Sequence, residues 1–223
     1  MRDAVLGRSV EGRPVRLSVI GPRAAPVRVL VVGAVHGTEP AGRAIAARLR
    51  ARPPRLPAGV ALWVVHDLNP DGTAAGTRGN ARGVDLNRNF PHRWRAQGRP
   101  GDAYHSGARP LSERESRLAA RLIRRLRPAV TIWYHQALRM VDTGTVAHRS
   151  VPARYARLSG LPAGRIGFLP GVAPRWQNRL VRGSSAFVVE LPGGPVGARG
   201  AARHAGAVRD AAARAARPRG GAA

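Results

Sequence analysis

Two residues that could hold a cation, His36 and Glu39, lie three apart in the stretch VRVLVVGAVHGTEPAGRAIAA at residues 27–47. An imidazole and a carboxylate so close in a turn can converge on one metal ion, although the pair alone also fits an ordinary polar turn. Further polar residues stand at or near the ends of apolar runs: the turn at residues 67–72, His135 after AVTIWY, and Glu190 inside SAFVVEL. Two His and one Glu make a catalytic zinc set, because three protein ligands leave the fourth position open. We therefore assign His36, Glu39 and His135 as ligands of one zinc per chain. Glu190 is left as a carboxylate in apolar company, suited to take a proton from an attacking water, its plainer alternative being a buried salt bridge to an Arg. Asp85 can accept the second ring proton of a ligand His. Arg78 and Arg88 can offer fixed cationic donors to an oxyanion and to a substrate carboxylate, or can be two more solvated Arg.

These residues need a scaffold that gathers them. Short β-rich runs at residues 15–20 and 27–32, separated by Gly21-Pro22, predict two strands, and buried strands follow at 60–66, 129–134 and 185–191. Between them, helices are predicted after Pro40 to about Ala51 and from a Ser112/Glu115 capping box to Pro128. In such an alternation the polar strand ends fall along one edge of the sheet, where distant residues can share a pocket. The polar segment at residues 72–91 has turn residues throughout, but Val84, Leu86 and Phe90 can anchor it. Residues 144–183 read as largely irregular, and the Ala/Arg-rich tail from Gly197 as a final helix that frays. The predicted fold is a single three-layer α/β/α domain with a mixed, twisted sheet. Its catalytic part covers residues 1–196, and residues 197–223 form a helix or tail of the same domain.

Composition narrows the function classes. All 38 basic residues are Arg, and the formal charge is +26. Scattered Arg beside abundant Ala, Gly and Pro reads as coding bias and a solvated basic surface. With aromatics at 4% and not interleaved with Arg, no nucleic-acid partner is expected. There is no Cys, which excludes disulfides, a thiolate nucleophile and a Cys-based zinc site. No run is long enough to span a bilayer and the N-terminus lacks a signal-peptide core, so the chain reads as cytoplasmic as written. A trimmed leader would leave the same sequence, and nothing in it specifies an oligomeric state.

In ordered motifs the sequence resembles the zinc carboxypeptidases of the M14 family: HGTE at 36–39, NPDG at 69–72, TRGNARGVDLNRNFP at 77–91, His135, and FVVELP at 187–192. The resemblance implies a zinc carboxypeptidase-like fold, zinc on His36, Glu39 and His135, and Asp85 behind His36. It also implies that Arg78 polarises the scissile carbonyl, that Asn87 and Arg88 hold a terminal carboxylate, and that Glu190 is general base and then acid. The short catalytic core and the IWYHQ block are most similar to bacterial murein peptide amidases, which cleave between D-glutamate and diaminopimelate. The alternatives are a general carboxypeptidase on ordinary peptides and, from another class, a non-catalytic binder of cell-wall or nucleic-acid polyanions. Many family members place a mobile Tyr in a loop before the catalytic Glu, and Tyr155 is the only Tyr between His135 and Glu190. Specificity contacts are expected in the stretch that holds Phe168, Trp176 and Asn178.

Overall fold

The computed structural model describes residues 1–146 and 149–217. Its centre is a set of parallel strands whose residues alternate between two apolar cores. β3 (Val27–Val32), β4 (Val60–Val65), β5 (Val130–Gln136) and β8 (Ser185–Leu191) lie parallel, with β3 between β4 and β5, and β8 beyond β5. β2 (Pro14–Ile20) and β1 (Arg2–Arg8) extend the sheet antiparallel on one side. β6 (Met140–Asp142) and β7 (Ala163–Gly164) complete eight strands on the other. Every residue of β4 and β8 is buried, as expected for strands covered on both faces.

The period-two alternation sorts these side chains into two layers. Val29, Val31, Leu62, Ile132 and Phe187 pack under α1 (Gly42–Ala51), α4 (Ser150–Ser159) and α6 (Ala198–Ala215). Leu30, Val32, Trp63, Trp133 and Val188 point the other way, under α3 (Arg114–Leu126) and α5 (Ala173–Leu180). This is the predicted three-layer α/β/α arrangement on a mixed sheet. From β3 the chain passes through α1 to β4 on one side, then returns to β5 on the other. That reversal opens a crevice beyond the carboxyl ends of β3 and β5, where α/β sheets bind ligands.

Several local expectations are corrected. The capping box does not form: Ser112 Oγ donates to Glu113 Oε1 at 2.7 Å, while Glu115 accepts from Val10 N at 3.0 Å and Asn80 Nδ2 at 3.1 Å. Glu115 is fully buried, and these two partners come from other parts of the chain. The stretch read as irregular contains α4 and α5; the buried face of α4 is Pro152, Tyr155, Ala156 and Ser159, helical spacing carried partly by small or polar residues. The NPDG turn opens a short helix, α2 (Pro70–Ala75), capped by Asn69 Oδ1 on Gly72 N at 3.0 Å. Within the described residues the tail does not fray before Ala215. α6 buries Ala201, His204, Ala207, Val208, Ala211 and Ala212, four of them alanines. The last six residues of the predicted tail, 218–223, lie outside the described residues, as do 147–148 of the stretch read as irregular.

A buried polar chain ties α6 to the sheet. Tyr134 Oη lies 2.6 Å from Tyr155 Oη, which lies 2.8 Å from His204 Nδ1. Burial, helped by the neighbouring Arg203, pushes His204 down from 6.5 to about 4. The unfolded imidazole gains its proton near 6.5 and the folded one only near 4. Stability from this group is therefore complete above 6.5 and lost as pH falls through that window, by about 3 kcal/mol in all. Urea denaturation of the wild type and of His204→Gln at about pH 7 and about pH 4 checks this. The variant is expected to lose less stability on acidification; equal losses would contradict the assignment.

Candidate metal centre

His36 and Glu39 lie in the turn after β3, and His135 lies within the last residues of β5, the neighbouring strand. The turn is held in place by glycine. A side chain at Gly37 would collide with the Gly72 carbonyl, so HGTE can rest directly on α2. Asn69 at the start of α2 then reaches the long polar loop, donating from Nδ2 to Gly79 O at 3.0 Å and Arg78 O at 3.3 Å. The loop is ordered as predicted, with Val84, Leu86 and Phe90 buried. Asn80 and Asn89 supply the remaining bonds, Asn80 to Glu113 and Glu115, Asn89 to Ser106 O and Ser112.

His36 Nδ1 lies 3.0 Å from Glu39 Oε2, His135 Nδ1 lies 3.0 Å from the same oxygen, and the two nitrogens are 3.2 Å apart. Tetrahedral zinc, with bonds of 2.0–2.1 Å, needs donor atoms about 3.3 Å apart. The triangle therefore already has the right size. His36 Nε2 is 2.8 Å from Asp85 Oδ1, so that nitrogen must carry the hydrogen and Nδ1 keeps a lone pair directed at the centre. Among the described residues this is the one cluster of His and carboxylate side chains with such convergence, and all three members are buried. The residues present fit a zinc ion.

Electrostatics point the same way. Burial opposes charge on His36, but Asp85 and Glu39 outweigh it and raise its pKa above the ordinary imidazole value. The same negative field favours any cation at the centre. Burial would raise the Glu39 carboxyl, yet the His135 and His36 imidazoles beside it outweigh burial and hold it well below the carboxylate range. Asp85 is lowered likewise, with burial overcome by His36, Arg78 and Arg88. It is fully buried and bonds His36 Nε2, Asn87 N at 2.8 Å and the Arg78 guanidinium at 3.1 Å.

The other predicted residues line the same pocket of about 230 Å³. Glu190 sits beside His135 in the parallel β5–β8 register and is 8% exposed. Among the described residues its one hydrogen bond is a long contact, 3.5 Å, from Leu138 N, and no Arg pairs with it, which speaks against the salt-bridge alternative. Arg78 is in the pocket but anchored, with Nη1 2.6 Å from Glu39 Oε1 and Nε 3.0 Å from Ala103 O. Asn87 accepts from Ala173 N at 2.9 Å and turns its amide nitrogen toward His135 Nε2 at 3.4 Å. Arg88 is 3% exposed; Nη1 donates to Asn87 O at 2.8 Å, while Nε has no partner. Burial, reinforced by Arg78, lowers its pKa despite Asp85. Arg88 lines the pocket, and a buried guanidinium at a pocket wall is a ready anion site.

Tyr155 is not a mobile lid, since it is fully buried in α4 within the Tyr134–His204 chain. Trp176 packs against Phe90, and Asn178 bonds Ala186 and Thr145 O, so neither lines the pocket. The sequence reading missed several residues that do, Tyr104, Gln136, Asp142 and Arg175 among them. Tyr104 lies over Arg88 with 4.8 Å between guanidinium carbon and ring centre. Gln136 braces Glu39 through its backbone N at 3.1 Å, and its side chain spans Ala41 N and Pro192 O. Asp142 ends β6 beside β8. Only the IWYHQ block hinted at Gln136; Tyr104 and Asp142 stand in stretches without a strong periodic signal.

Residues 1–159 match the family described as zinc carboxypeptidase. Murein peptide amidase A of Escherichia coli K12 is 33% identical over 148 residues, covering 61% of this chain and 60% of the relative. Murein peptide amidase A of Vibrio campbellii is 30% identical over 200 residues, covering 83% and 77%. Among solved structures, murein-tripeptide amidase MpaA from Escherichia coli O157 superposes with a TM-score of 0.74 at 25% identity, over 93% of this chain and 91% of that one. Carboxypeptidase A of Helicoverpa armigera reaches 0.74 at 18% identity, over 96% and 68%, a likeness of fold alone. Because Asp85 fixes the His36 tautomer, Asp85→Asn is expected to weaken zinc affinity by about ten- to a hundredfold. Competition with a chromophoric chelator reads this, and an unchanged affinity would contradict the role.

Proposed function

The chain belongs to the zinc carboxypeptidase family, and from that premise we propose that it is a zinc-dependent hydrolase of a peptide-type bond next to a free carboxylate. Its proposed substrates are murein peptides, cut between γ-D-glutamate and diaminopimelate. The observation that carries this reading is one pocket that holds both a cation site and an anion site, the His36–Glu39–His135 triangle and the buried guanidinium of Arg88. A substrate that fits both must present a carbonyl to the first and a carboxylate to the second, as the last bond of a peptide does.

His36, Glu39 and His135 would hold one zinc, with Asp85 fixing the His36 ring. When bound, zinc supplies Lewis acidity toward a carbonyl oxygen and makes water a better nucleophile near neutral pH. Arg88 and Asn87 hold the free carboxylate and thereby set the register of the scissile bond. Glu190 receives the proton of the attacking water on its carboxylate and passes it to the leaving amine. Its lack of an Arg partner among the described residues leaves that carboxylate free to do so. Arg78, 30% exposed, contributes positive charge where the carbonyl oxygen turns negative.

Hydrolysis of L-Ala-γ-D-Glu-diaminopimelate, with and without a chelator and with metal content measured in parallel, tests the reading. Diaminopimelate release is expected, sensitive to the chelator and faster than release from a plain C-terminal peptide. Glu190→Gln is expected to keep one zinc and lose turnover by about a thousandfold or more. Undiminished turnover in that variant would remove Glu190 from the mechanism, and release that survives metal removal would overturn the zinc assignment.

A further inference from the structure

The pocket that holds the candidate metal ligands carries two charged side chains that the proposed hydrolysis leaves unused. Met140 of β6 lies opposite Glu190, so Asp142, two residues on, stands on the same face of the sheet. Asp142 is 1% exposed and lines the pocket. Its Oδ1 accepts from Gly144 N at 2.8 Å and Ile166 N at 3.2 Å. Among the described residues, its other oxygen accepts no hydrogen bond and no Arg lies within ion-pair distance. A buried carboxylate without a cationic partner is unfavourable, and in a chain with 38 Arg the missing partner is not for want of candidates.

Arg175 enters the same pocket from α5. Its guanidinium sits 5.2 Å from the centre of the Phe168 ring, and Nη2 makes only two marginal contacts, 3.5 Å each, to Ile166 O and Gly167 O. No carboxylate pairs with it among the described residues. Ile166 thus holds Asp142 through its N–H and Arg175 near its carbonyl, so the acid and the base flank one residue without neutralising each other. Val188, Leu169 and Val172 line the pocket with apolar surface for an aliphatic chain.

We propose that Asp142 and Arg175 form a subsite for a substrate side chain that ends in both an ammonium and a carboxylate. Asp142 takes the ammonium and Arg175 the carboxylate, which selects a diamino dicarboxylic residue at the position released by cleavage. The subsite rests on the reading of the pocket as that of a carboxypeptidase and names the residue it prefers.

Calorimetric titration of the zinc-loaded protein with meso-diaminopimelate, lysine and norleucine separates the two charges. The wild type is expected to bind them in that order, each step roughly tenfold. Asp142→Asn keeps an oxygen for Gly144 N and Ile166 N, and is expected to lose the preference for lysine over norleucine. Arg175→Gln is expected to lose the preference for diaminopimelate over lysine. The Arg175 side chain is half-exposed, so its variant carries the test even if Asp142→Asn fails to fold. Ratios unchanged from wild type, or a wild type that fails to prefer millimolar diaminopimelate over norleucine, would overturn the subsite. Because binding is read directly, these preferences without murein-peptide hydrolysis would count against the proposed activity and keep the subsite. Hydrolysis without the preferences would do the reverse.

Discussion

A single fully buried carboxylate, Asp85, holds together the parts of the site that come from different stretches of chain. It accepts from His36 of the first ligand turn, from Arg78 at the start of the long loop, and from the backbone of Asn87 at the single helical turn Leu86–Arg88. Removing a charge from water is strongly unfavourable unless its acceptor capacity is filled, and here four N–H groups from three residues fill it. The same bonds that offset its burial align the His36 lone pair and place Asn87 and Arg88 at the pocket. The proposed ligand geometry and the proposed substrate anchoring therefore share one electrostatic origin.

The sheet supplies the second constraint. His135 and Glu190 are paired residues of adjacent parallel strands, so a proposed ligand and a proposed proton carrier are fixed relative to each other by backbone register. His36 and Glu39 approach from the turn after β3, on the other side of β5 from β8. Charge adds a third effect. The chain carries +26 overall, yet the metal site is built from carboxylates and imidazoles, with Arg78 and Arg88 at its edge. A basic surface draws anionic substrates toward a pocket whose own centre favours a cation.

The central strands were legible because both of their faces are buried, which leaves continuous Val, Leu and Ile runs in the sequence. β3 and β8 begin and end where those runs do. β1 was not legible, since it is mostly exposed at the sheet edge and its RDAVLGR sequence lacks an apolar run. α4 and α6 escaped or were underrated because their packing faces use Ala, Ser and Pro, which periodicity weighs lightly although they permit the closest approach of backbone to sheet. In the site, residues inside dense motifs were readable, and the structure brings His36, Glu39, His135, Asn87, Arg88, Arg78 and Glu190 into one pocket, with Asp85 buried behind His36. Asp142 and Arg175 were not readable, because their meaning lies in what they fail to pair with. Absence of a partner is a property of three-dimensional neighbourhoods and leaves no mark on spacing.

The most direct measurement is anomalous diffraction at the zinc edge from crystals of the zinc-loaded protein. The account predicts one zinc at about 2.0–2.1 Å from Nδ1 of His36, Nδ1 of His135 and a Glu39 carboxylate oxygen, with Asp85 still bonded to His36 Nε2. Zinc bound elsewhere, or held through Nε2 of His36, would contradict it, because the Asp85 bond would then no longer determine the ligand geometry.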